Sequence, residues 1–285
     1  MIAALALPYP FELEFMQRAL VAGLAVGIFA PMIGTFLVQR RMSLIGDGMG
    51  HLAFAGVGAG LVATVSPVWT ALLFAVVGAL GIEWLRSRRR ASGDLALALF
   101  FYSGIALGVV LVSRAQGLSA NILTFLFGQP LTASTEDVRT IVILGAIIIA
   151  AIYALRRVLF AVVTDEEWAN VAGLPVGFLN SLLAVLVACA VVAAMKVVGI
   201  LLISAMMVLP VASGQLLARS FRGTLLWSTG IGVVSAAGGL AASRVWDLAP
   251  SGTIVLISSA VFAVVAVATR LRRGPPMTAE EGAPA

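Results

Sequence analysis

The chain has 285 residues, of which 61% are hydrophobic and only 11% charged, with a net charge of +5. A soluble domain carries about 25% charged residues, so this composition excludes one and removes the reading of the positive charge as a nucleic-acid footprint. An all-α, polytopic bundle of transmembrane helices is expected.

A helix needs roughly 20 apolar residues to cross a hydrocarbon core about 30 Å thick, and the chain divides on that measure. The opening "MIAALALPYPFELEF" has no basic n-region, two prolines and two acids, so it is not read as a cleaved signal peptide. Residues 1–17 form an extracytoplasmic lead-in. Val21 to Val38 is the first crossing. Leu52 to Ile82 is too long for one, and Ser66-Pro67 in its middle is a turn, because proline lacks the amide donor and its ring clashes in a helix interior. Leu95 to Ser113, Val138 to Leu155, Pro175 to Met195, Val197 to Ala218, Gly223 to Ser243 and Leu248 to Thr269 follow, nine crossings in all. Lys196 leaves almost no loop between the sixth and seventh, so eight crossings with a re-entrant piece is the alternative. The transmembrane domain covers 18–273, and the polar, proline- and glycine-rich tail 274–285 is expected to be a disordered cytoplasmic segment.

Nine crossings put thirteen arginines on one side (Arg40, Arg41, the four in "RSRRR", Arg156, Arg157, Arg219, Arg222 and the three in "RLRR") and five basic residues on the other: Arg18, Arg114, Arg139, Lys196 and Arg244. The excess of lysine and arginine marks the cytoplasmic side. The N-terminus is therefore outside and the C-terminus inside. Cys189 is the only cysteine, so no intramolecular disulfide forms, and it reads as a small buried apolar residue.

The second segment carries Asp47 and the only histidine, His51, in "SLIGDGMGH". If the helix starts near Arg41, His51 lies about 15 Å further in, close to the midplane, with Asp47 about one turn below. Residues four apart share a helix face, and ionisable groups at this depth usually face a cavity or a substrate path. A carboxylate and a neutral imidazole suit zinc, manganese or iron. Two ligands leave the coordination sphere open, as a transient station requires, with water, backbone carbonyls or a second protomer completing it. The bland alternatives are that Asp47 caps the helix and His51 merely packs. Gly46, Gly48, Gly50, Gly56, Gly58 and Gly60 serve close helix packing or expose backbone to an ion.

On the inner side, "TDEEWANVAGLP" begins with a capping-box spacing, Thr164 and Glu167. Asp165, Glu166 and Glu167 sit where the helix dipole favours acids, and Gly173 and Pro175 stop the helix. A short cytoplasmic helix with an exposed Trp168 is a surface that a soluble partner can grip. Glu83 and Asp94 flank "RSRRR" and are expected to form interfacial ion pairs or caps. Asp247, in "WDLAPSG", lies at the outer mouth, where it attracts cations or caps the last segment. The single lysine follows "CAVVAAM", so there is no P-loop, and energy must come from an ion gradient or a separate subunit.

Together "RRMSLIGDGMGH", "ILTFLFG", "DEEWANVAG", "AMKVVGILLISAMMVLPVASG" and "WDLAPSGTIVL" resemble the membrane permease of bacterial ATP-binding-cassette importers for zinc, manganese or iron. The resemblance implies a homodimer in the bacterial cell membrane, two cytoplasmic ATP-binding subunits and an extracytoplasmic metal-binding protein, with no permanently bound cofactor and no ATPase site of the chain's own. By motif position Asp47 and His51 are the metal ligands, and Asp165, Glu166, Glu167, Trp168, Ala169, Asn170 and Gly173 belong to the coupling helix. Some zinc-type members have a further histidine in the fourth segment, where this chain has "LFFYSG" with Tyr102. The expected mechanism is alternating access, with a slight lean to zinc from the nitrogen ligand. A proton-coupled secondary metal transporter, with Asp47 and His51 as a relay, is the alternative, and a membrane sensor or scaffold is a third class.

Overall fold

The computed structural model describes residues 9–88, 93–114, 125–128, 133–195 and 197–273. Among them the regular structure is helical: α1 Glu14–Gln39, α2 Ile45–Val62, α3 Pro67–Ser87, α4 Gly93–Arg114, α5 Thr135–Thr164, α6 Glu166–Val171, α7 Val176–Met195, α8 Ile200–Leu217, α9 Phe221–Val245 and α10 Pro250–Arg273. Lys196 and the tail 274–285 lie outside the described residues, although α7 ends at Met195 and α8 begins at Ile200, so the connection there is short.

Among the described residues, seven helices are long and apolar enough to cross a membrane: α1, α3, α4, α5, α7, α9 and α10. The polar Asp47 and His51 and six glycines dilute the hydropathy of α2, and α8 is a shorter apolar helix. Local chemistry sets the ends. Pro67 opens α3 at its first position, where the missing amide costs nothing. Ser134 Oγ accepts from the Asp137 amide at 3.1 Å while Asp137 Oδ2 accepts from the Ser134 amide at 3.1 Å, a capping box at the head of α5. With 30 residues, α5 is about 45 Å long and outruns the hydrocarbon, so its last turns carry the chain to α6.

Packing makes α1 and α8 the axis of the bundle. Phe29, Ile33 and Phe36 of α1 and Ile203, Met206 and Met207 of α8 are buried. Helix α1 packs on α5, α8 and α9, while α2 packs on α3, α4, α7 and α8. The outermost helices keep apolar residues outward, Leu99 and Val110 on α4 and Leu256 and Val264 on α10. Helices meet closely where side chains vanish. At Gly34 a Cβ would collide with the Met207 carbonyl oxygen, so the α1–α8 contact is backbone to backbone. Gly34→Ala is expected to cost about 1–3 kcal/mol through overpacking, seen as a lower melting temperature of the purified chain. An unchanged melting temperature would show that α1 and α8 separate freely.

Opposite the arginine-rich end, three distant stretches meet. Gly128 and Gly199 have φ of +71° and +89°, and a Cβ on either would run into the backbone of the other's loop. Glycine is required there on both counts. Ser251 Oγ, at the head of α10, shares its proton between the carbonyls of Phe127 at 2.5 Å and Val198 at 3.2 Å.

Candidate functional site

Residues 40–44 do not continue as helix. Arg41 adopts φ +58° and α2 begins at Ile45. His51 therefore stands about 9 Å along the helix from its first residue, not 15 Å, and Asp47 about 3 Å. Leu44 occupies the N-cap with no side-chain cap bond, so Asp47 does not cap the helix. It sits in the first turn, where the dipole favours its charge.

The glycines define the faces of α2. Gly46 and Gly50 abut Ser204 and Ile200 of α8, and Gly48 abuts Leu97 of α4. At about 100° per residue, Asp47 and His51 fall on one sector between those two contact lines. Both are half-buried. Neither forms a hydrogen bond or ion pair with the described residues, so the donor atoms stay available. The His51 ring is held by Phe101 of α4, edge to face at 4.7 Å. Tyr102 instead contacts Phe101, at 5.4 Å, and is exposed, so it does not stand in for a third ligand. Among the described residues no group of three or more histidines, cysteines, aspartates or glutamates is placed to hold a metal.

The acidic segment after α5 differs from expectation in its cap. Helix α5 continues through Thr164, whose backbone is helical and cannot serve as an N-cap; Asp165 turns extended (φ −150°, ψ 101°) and accepts from the Trp168 amide at 2.8 Å. The helix spans Glu166–Val171 and not Asp165 to Gly173. Gly173 (φ +80°) ends it, with its amide on Asn170 O and that of Leu174 on Ala169 O, the paired bonds of a Schellman stop. Glu167, Trp168, Asn170 and Val171 face outward, and Ala169 is fully buried.

Glu166 turns inward. Arg86 Nη1 and Nη2 donate to its two oxygens at 2.9 and 3.0 Å, and Arg86 Nε and Nη2 donate to Glu83 at 3.2 and 2.8 Å. Asn180 Nδ2 of α7 adds a bond to Glu166 at 3.1 Å, and Arg40 lies 3.7 Å from Glu83. Glu83 is thus an ion-paired residue, as expected, but a buried one, 4% exposed. Burial alone would raise the Glu166 carboxyl, yet the Arg86 bonds and charge, with Arg40 and Asn180, hold it below the usual carboxylate range. Its ion pair holds above that range and weakens as pH falls through the lowered value. The network joins the ends of α1 and α3 and the start of α7 to α6. Sequence reasoning missed Arg40, Arg86 and Asn180; a lone asparagine in "GFLNSLLAVL" was the available signal. Asp94 lies in the first turn of α4, where the helix dipole favours an acid.

Asp247 does not cap the last helix. It follows the C-cap of α9 at φ +51°, with the Leu248 amide on Ser243 O at 3.0 Å, so it stops the preceding helix. Its side chain is exposed at the opposite end from Arg86.

The sequence pattern of the ABC 3 transport family matches residues 12–269. The manganese transport system membrane protein MntC of Halalkalibacterium halodurans is 32% identical over 88% of this chain and 86% of its own. The manganese import system permease protein ScaB of Streptococcus gordonii is 29% identical over 89% and 91%. Among solved structures, PsaBC from Streptococcus pneumoniae in complex with Fab superposes with a TM-score of 0.80 at 30% identity, covering 89% of this chain and 91% of the other.

Proposed function

The chain belongs to the ABC 3 transport family, and from that premise we propose that it is the permease of an ATP-driven importer carrying a divalent transition metal into the cytoplasm. It is a multi-pass protein of the bacterial cell membrane. The observation that carries the proposal is the Asp47–His51 pair: one oxygen and one nitrogen donor on the same sector of an apolar helix, half-buried and, among the described residues, without a hydrogen bond or ion pair. Borderline divalent ions take such a mixed set, and an incomplete shell lets the ion leave. Manganese is the ion named for these two relatives, which supports it over the zinc toward which the imidazole alone inclines.

Two ligands per chain favour a homodimer, in which a two-fold axis would bring a second pair to the first. The arginine-rich end faces the cytoplasm. There α6 acts as the coupling helix: Glu167, Trp168 and Val171 contact the ATP-binding subunit, and Glu166 passes its motion to α3 through Arg86. The metal is delivered by an extracytoplasmic binding protein at the end that carries Asp247, and alternating access moves it between the two sides.

Reconstitution in proteoliposomes with the ATP-binding subunit tests this directly. Uptake of radioactive manganese is expected only when ATP is supplied on the subunit's side. Uptake driven by a proton gradient in the absence of ATP would replace the importer with a proton-coupled exchanger.

A further inference from the structure

At the arginine-rich end, the last turns of α5, the head of α9 and the end of α1 line a half-open cavity of about 300 Å³, the lower limit of ordinary ligand sites. Three aromatic rings line it: Phe36, Phe160 and Phe221. The Phe221 ring stands 5.1 Å from Phe36, edge to face, and 4.8 Å from Phe160. Three cations line it too: Arg156 and Arg157 come from α5, and Arg222 comes from α9. No acid lines it, and among the described residues none of the three guanidinium groups has a carboxylate partner. Arg156 rests its face on the Tyr153 ring at 4.2 Å, which leaves its edge donors free.

The depth is that of a lipid headgroup. Arg156 and Arg157 are the first charges after the apolar run of α5, where that helix leaves the hydrocarbon. Arg222 lies in the first turn of α9, where the dipole disfavours a cation, and an anion in the cavity would offset that effect. The preference for arginine on the cytoplasmic side accounts for their number. It does not account for three of them, from two helices, around an aromatic cavity.

We propose that this cavity binds an anionic phospholipid of the arginine-rich leaflet, its phosphate among Arg156, Arg157 and Arg222 and its chain against Phe160 and Phe221. Guanidinium groups match phosphate oxygens with forked donors, and basic pockets between transmembrane helices take such headgroups.

The full chain, taken from nanodiscs of equal phosphatidylglycerol and phosphatidylcholine, is examined by native mass spectrometry. Phosphatidylglycerol adducts are expected to dominate, to resist millimolar inorganic phosphate, and to fall on the order of a hundredfold in the triple variant Arg156→Gln, Arg157→Gln, Arg222→Gln. Should that variant not fold, the exposed Arg157→Gln alone is expected to reduce them several-fold. Equal retention of the two lipids, displacement by phosphate, or variants that keep the preference would overturn the proposal. So would loss of the ATP-binding subunit on pull-down with lipid adducts unchanged, which would assign the arginines to a protein partner.

Discussion

Arg86→Ala is expected to be among the most damaging single changes in the chain. One guanidinium holds two carboxylates, with two bonds to Glu83 and two to Glu166. Removing it strands Glu83, 4% exposed, with only Arg40 at 3.7 Å. Breaking a buried pair costs about 3–5 kcal/mol; the Glu166 side chain is 43% exposed, so the lower end of that range applies. Against a total stability of roughly 5–15 kcal/mol, the melting temperature should fall sharply and co-purification of the ATP-binding subunit should fall with it. Arg86→Lys should not rescue, because an ammonium cannot make two forked contacts at once. Glu167→Lys and Trp168→Ala separate fold from partner: both side chains face outward, so melting should be unchanged while co-purification weakens. A joint reversal of Glu166 and Glu167 would mix the two effects. If Arg86→Ala melts like the parent chain, the network does not hold α6.

Replacing Asp47 or His51 by alanine is expected to stop uptake while leaving the protein folded and assembled. Both side chains are half-buried and bond to nothing among the described residues, so their loss exposes no buried partner. Among the described residues no group of three or more histidines, cysteines, aspartates or glutamates stands ready to hold the ion instead. Loss of an outer-shell partner already weakens metal sites about 10–100-fold, and loss of a ligand itself should reach at least the upper figure. Initial rates of manganese uptake, set beside melting and pull-down, decide the matter. Parent-like uptake in both variants would remove the pair from the pathway.

The residues that were legible are those whose signal is local. Pro67 opens α3 as Ser66-Pro67 announces, Gly173 ends α6, and among the described residues seven of the nine apolar runs fall on helices long and apolar enough to cross a membrane. Continuity misleads locally: hydropathy ends α5 before Thr164 and so gives the cap to that residue, and it carries α2 back to Arg41 across a turn. Asp247 follows the same rule, since an aspartate between two helices can serve either, and only the φ of +51° assigns it to the first.

By itself the sequence determined the class, the arginine asymmetry, and the sharing of a helix face by Asp47 and His51, because hydropathy and helical period need only neighbouring residues. Only the tertiary structure decided which sector of α2 stays uncovered, that Phe101 and not Tyr102 meets His51, and that Glu166 binds Arg86, 80 positions away. A charge reveals its sign in one dimension, but the partner that neutralises it is chosen by how the helices pack.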